Sequence, residues 1–147
     1  MKNLIVILFA LMITVSCNSQ KKIYSDFDMS YSKSGGFAPI YENLLVKGNQ
    51  AHYSFEGQGK KNKTTFKLTD EEIKNLNQIL TKNNFRHIAE DRKKIYDGIA
   101  VTISVKNGEN SGSKTDASMI MPKHQSNWEN IVNAFQEIIN KNVKNTP

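Results

Sequence analysis

The chain has 147 residues, is 38% hydrophobic and 23% charged, and carries a net charge of +6 at pH 7. That length suits one domain of ordinary size with one modest core. A single cysteine excludes an internal disulfide, and basic residues spread along the chain, not interleaved with stacking aromatics, point away from a nucleic-acid groove.

Lys2 gives a positive start, residues 4–15 are apolar apart from Thr14, and Ser16-Cys17 lead into the polar run Asn18-Ser19-Gln20-Lys21-Lys22. A charged start, a short apolar run and a small residue before the junction make a secretory signal. A spanning helix needs about 20 apolar residues, more than this run supplies. The run stops at the only cysteine. That placement resembles a bacterial lipoprotein signal, in which the thiol takes a diacylglyceryl group and becomes the first mature residue. Thr14 stands where such signals prefer leucine. The resemblance implies removal of residues 1–16, lipidation at Cys17 and a membrane tether over 17–22, with 131 residues left. Nineteen basic and fourteen acidic side chains then remain, a net charge of +5.

A single domain is expected over 23–141, with a frayed tail at 142–147. From Ile23 the pattern alternates, with Phe27, Met29 and Tyr31 on one side and Asp26, Asp28, Ser30 and Ser32 on the other, which predicts a half-buried strand ending at Gly35-Gly36. Residues 41–46 and 51–56 flank Lys47-Gly48-Asn49-Gln50 and read as a hairpin. Residues 57–63, with two glycines and three lysines, read as a mobile basic loop, and 64–68 as a short strand.

Thr69 and Glu72 have the spacing of a capping box, with Leu68 and Ile73 placed as a hydrophobic staple and three acids in the first turn. Ile73, Leu76, Ile79 and Leu80 form the stripe of this helix. Asn83-Asn84 can end it in a left-handed turn, with Phe85 folded back. After a charged connection, Asp97-Gly98 is a turn, and Ile99, Val101, Ile103 and Val105 alternate as the clearest strand. Residues 114–121 are its expected partner, stopped by Pro122. A last helix is predicted over 126–141, capped by Ser126 and Glu129, with Trp128, Ile131, Val132, Phe135, Ile138 and Ile139 on one face. The predicted fold is α+β: an antiparallel sheet of five to six strands, built on two hairpins, with two amphipathic helices packed on one face. The order also reads as a duplicated strand-strand-helix unit, although no residue-level repeat accompanies it.

No catalytic constellation or cofactor motif stands out. His52, His87 and His124 fall in separate segments without the short spacings of a metal site. Asp26 and Asp28 share a strand face, where paired carboxylates serve acid–base work or hold a cation, or are simply solvated. Lys60, Lys61, Lys63 and Lys67, with Arg86, Arg92, Lys93 and Lys94, are the candidate contacts for an anionic lipid, a polysaccharide or an acidic protein. The ordinary reading of such a cluster is a solvated loop. Tyr24, Tyr31, Tyr41, Tyr53 and Tyr96 either form a protein-binding face or border the core with their hydroxyls in water.

The signal of residues 2–17, the Lys/Asn-rich composition, the Leu68-Thr69-Asp70-Glu71-Glu72 helix start and the Asp97-Gly98 turn together resemble the small lipoproteins of Bacteroidetes. Asn18 is not the aspartate associated with inner-membrane retention in enteric bacteria, and no acidic run follows Cys17. The resemblance therefore implies an outer-membrane anchor facing the periplasm. The expected function is a lipid-anchored, non-catalytic protein-binding module of the envelope (an inhibitor, immunity or assembly accessory). The alternative is a small hydrolase or a carrier of wall or lipid fragments.

Overall fold

The computed structural model describes residues 26–91, 93 and 98–144. The fold is α+β, with a six-stranded antiparallel sheet and two helices. The strands are β1 (Met29–Gly35), β2 (Ile40–Lys47), β3 (Gln50–Gly57), β4 (Lys60–Lys67), β5 (Ile99–Val105) and β6 (Gly112–Thr115). They lie side by side in the order β4-β3-β2-β1-β5-β6. The helices are α1 (Asp70–Lys82) and α2 (Gln125–Asn142).

Alternation along each strand decides which side is buried. Ile103, Tyr31, Leu44 and Tyr53 are in register across four strands, and Val105, Met29, Val46 and Ala51 form the neighbouring row. All eight are buried. They share one core cluster with Leu76 and Leu80 of α1 and with Trp128, Ile131, Phe135, Ile138 and Ile139 of α2. Tyr31 stacks on Phe135 with ring centroids 5.9 Å apart and an interplanar angle of 18°. Burial of each large apolar side chain contributes about 1.5–3 kcal/mol, so these two rows carry the fold.

Residues 57–63 are a two-residue turn and the start of an edge strand, not the expected loop. Gly57 pairs with Lys60, and Gln58 and Gly59 take φ of 51° and 75°. Positive φ at both central positions matches the twist of the flanking strands. Glutamine in a place usually held by asparagine or glycine hides this turn from composition. The lysines of β4 project from an edge strand into water, where charge discourages edge-to-edge pairing.

Helix α1 forms as its caps predict. Thr69 Oγ1 accepts from Glu72 N at 3.2 Å, and Glu72 Oε2 accepts from Thr69 N at 2.7 Å. Asn84 is left-handed, with φ 50° and ψ 47°, and the next residue, Phe85, is buried.

Two expectations after β5 need correction. The partner strand of β5 forms as β6, but it starts earlier and is shorter than the expected 114–121, because the β5–β6 ladder ends at Thr115. Asp116 Oδ1 accepts from Val101 N at 2.6 Å and its own N–H donates to Val101 O at 3.1 Å, so the ladder closes there. Met119, with φ 66°, then turns the chain, and Ile120 makes a lone bridge to Glu90. Ser126 is not a cap either: a short 3-10 turn, Pro122–His124, runs directly into α2, whose N-cap is His124 without a side-chain hydrogen bond. Glu129 instead accepts from Gln125 Nε2 at 2.9 Å. Beyond α2, Val143 is buried and its N–H donates to Ile139 O at 2.8 Å, so packing continues into the expected tail.

Candidate functional site

The two helices lie on one side of the sheet. The strand positions of opposite parity form a second face on which none of the described side chains is buried. Its centre is mostly short and polar, with Leu45 of β2 the apolar exception. Ser54, Asn43, Ser32, Thr102 and Thr115 run in one row across five strands, and Ser30, Ser104 and Ser113 lie in the next. Neighbouring strands share hydroxyls: Thr102 Oγ1 donates to Thr115 Oγ1 at 3.0 Å, and the Ser104 and Ser113 hydroxyls are 2.8 Å apart. His52 Nδ1 is 3.1 Å from Thr65 Oγ1 in the same manner. Five inter-strand gaps of about 4.8 Å and strands of about seven residues make a footprint of about 24 by 23 Å.

One end of this face is apolar. The β1–β2 hairpin carries Phe37 at its tip, which is 99% exposed, and Tyr41, at 54%; Ile99, at 53%, is exposed at the same end of the sheet but has the parity of the helix side. Gly36 lies close to Ile99, since a Cβ built on it would stand 3.1 Å from Ile99 Cγ1. The β4 margin is basic. Lys61, Lys63 and Lys67 alternate along it on the open-face side. Lys61 pairs with Glu56 at 2.6 Å, whereas Lys63 and Lys67 have no ion-pair partner among the described residues.

The candidate anion contacts divide. Lys60, Lys61 and Lys63 stand on β4. Lys93 pairs with Asp91 at 2.8 Å, and the Asp91 N–H donates to Met119 O, which puts them beside the β6 edge. The width of the sheet separates these groups by about 24 Å, so they do not form one patch. Arg92 and Lys94 lie outside the described residues, as do Cys17, Tyr24 and Tyr96.

Asp26 and Asp28 act on a turn. Both reach Lys47 Nζ, at 2.9 and 3.0 Å, and Asp28 Oδ2 accepts from Gly48 N at 2.7 Å. The Gly48 N–H, followed by the Lys47 ammonium, holds the Asp28 carboxyl below its usual range. The three histidines occupy separate places: the open face, the 3-10 turn after α1 and the start of α2. No group of three metal-ligating side chains occurs among the described residues. No helix among them is long and apolar enough to cross a membrane.

The described tyrosines divide between the two faces, and the hydroxyls of the buried ones are bonded within the protein, not in water. Tyr41 belongs to the open face. Tyr31 and Tyr53 are buried. Burial pushes the Tyr31 hydroxyl up to about 12, and Gln136 Nε2 donates to it at 3.3 Å. Burial, then the Glu42 carboxylate that accepts its proton at 2.9 Å, raises Tyr53 further. Lys33 and Glu42 escaped the sequence reading. Their signal is parity: each continues the buried register of its strand, where a charge is out of place.

No protein-family profile matches this chain, and no curated protein does.

Proposed function

We propose that this protein is a lipid-anchored module of the cell envelope that binds an acidic protein on its open sheet face, without catalysis. The observation that carries this reading is the uncovered face itself. Serine, threonine, asparagine and tyrosine are suited to recognition, because they hydrogen-bond adaptably and lose little side-chain entropy on docking. A flat footprint of about 550 Å² approaches the ~800 Å² per partner of a standard interface. Tyr41 and Phe37 supply aromatic anchors at one end. Lys63 and Lys67 along the β4 margin favour an acidic partner and steer its approach. The role fits an inhibitor, an immunity protein or an assembly accessory.

The anchor is part of the proposal. Cys17 carries lipid, and the domain faces the periplasm from the outer membrane. Growth on labelled palmitate should label the wild-type protein and not a Cys17→Ser variant; equal labelling of both refutes the anchor. For the binding face, a photo-crosslinking residue is placed at Tyr41 or Ser54 and, as a control, at exposed Lys74 or Asn133 on the helices. One dominant adduct from the sheet positions is expected, lost in a Lys63→Glu/Lys67→Glu background. Adducts equally abundant from the helix positions, or indifferent to charge reversal, overturn the assignment.

A further inference from the structure

A cavity of about 340 Å³ opens on the other side of the sheet, between the hairpin end and the last turns of α2. Its walls include Lys33 and Glu42, with the amides of Gln58 and Gln136 at the sides and Phe55 and Ile139 as apolar surface. Lys33 and Glu42 are direct cross-strand neighbours, and Phe55 follows Glu42 in the same row. Both charged residues are half-buried. The Tyr53 hydroxyl donates to Glu42 Oε1 at 2.9 Å and fixes that carboxylate. The two charges form no ion pair with each other within 4.0 Å, and no other ion pair engages either among the described residues.

We propose that this cavity binds a zwitterionic ligand of dipeptide size, its carboxylate on Lys33, its ammonium on Glu42 and its side chains against Phe55 and Ile139. Opposite charges held side by side and unpaired select by exclusion. A simple anion meets Glu42, a simple cation meets Lys33, and a neutral molecule desolvates both without compensation. A ligand bearing both charges a few bonds apart compensates both. The volume equals that of about eleven liquid waters and lies at the small end of ligand pockets, which matches a dipeptide better than a lipid or an oligosaccharide. The Gln136 amide also donates to buried Tyr31, so this wall is fixed before a ligand arrives. The cavity is on the helix side of the sheet, so this proposal stands or falls separately from the protein-binding face.

The test is calorimetric titration of the full chain in detergent with alanyl-alanine, in parallel with the peptide blocked at both ends by acetyl and amide groups. Saturable binding of alanyl-alanine at about millimolar affinity or better is expected. The doubly blocked peptide should bind at least about tenfold more weakly, and so should acetyl-alanyl-alanine, which lacks the ammonium. Lys33→Gln and Glu42→Gln, checked for folding by circular dichroism, should each weaken alanyl-alanine about tenfold, and Glu42→Gln should leave the acetylated peptide no weaker. No saturable binding of alanyl-alanine, or equal binding of free and blocked peptides, overturns the proposal; neither result requires a variant to fold.

Discussion

Asp116 joins three elements, and its removal is a quantitative test of how the helix layer is fastened to the sheet. One carboxylate oxygen accepts from Val101 N on β5 at 2.6 Å, and the other accepts from Trp128 Nε1 on α2 at 3.0 Å. Both donors belong to buried residues, with Trp128 at 2% exposure and Val101 at 7%. Asp116→Ala leaves two N–H groups without an acceptor, at about 1–3 kcal/mol each. Asp116 itself is half-buried, so water partly replaces it, and about 3 kcal/mol in total is expected. Asp116→Asn keeps one acceptor and turns an amide N–H₂ toward the other donor, for about half that loss. A total of 3 kcal/mol is a large share of the roughly 5–15 kcal/mol that holds a domain folded. Urea unfolding followed by far-UV circular dichroism gives the values. A double-mutant cycle with Trp128→Phe should return a coupling of about 1–2 kcal/mol, because the phenyl ring needs no acceptor. A loss below about 0.5 kcal/mol for Asp116→Ala, or a coupling near zero, would refute the idea that this carboxylate fastens α2 to β5.

Three further outcomes are expected. Thr69→Ala should cost about 1 kcal/mol, because it breaks an observed capping box, whereas Ser126→Ala should cost under about 0.5 kcal/mol, since no cap forms there; paired urea titrations compare them. Gly35 has φ +111°, and a Cβ on it would press into the Gly98 carbonyl oxygen, so Gly35→Ala should lower stability by about 2 kcal/mol and reduce Tm; an unchanged Tm would mean that the backbone there relaxes freely. Lys141 Nζ at 2.6 Å, then the Thr69 N–H, holds Glu72 below its ordinary value of 4.5. A depressed folded-state pKa contributes stability that is complete above the unfolded value and lost as pH falls through the folded one. Glu72→Gln should therefore be less stable at neutral pH and lose less than the parent between pH 5 and 3, as read from Tm against pH.

Most of the fold was legible because two simple periods dominate it. The alternation of Val101, Ile103 and Val105, the stripe of Trp128, Ile131 and Phe135, and the capping box at Thr69 each point to the element that forms. The misread places are those where one side chain outweighs its neighbours. Gln58 takes a left-handed turn because the strands on either side pair well enough to hold it there, so the expected loop becomes strand. Asp116 ends a ladder by taking Val101 N–H on its carboxylate, and Pro122 starts a turn that carries the chain past Ser126 before any cap can form. Pairing across strands supplies the first two effects, which no short window contains, whereas the effect of Pro122 is local and was hidden by the capping-box spacing of Ser126 and Glu129.

The candidate sites were harder to read for a related reason. The open face consists largely of residues that look like the solvated half of ordinary strands, and only register shows its serines and threonines lined up across the sheet, with Asn43 in one row and Leu45 in the next. Lys33 and Glu42 stand nine positions apart in the chain and become neighbours only once the β1–β2 hairpin sets its pairing. Their inward parity is nonetheless informative. Burying even half of a charge costs free energy that a leucine at either position would save; Glu42 recovers part of it by accepting from the buried Tyr53 hydroxyl, whereas Lys33, with no ion pair among the described residues, is easier to account for by what it binds than by what it stabilises. That asymmetry separates the cavity from the lysines of β4, whose exposure on an edge strand is fully explained by keeping that edge from pairing with another.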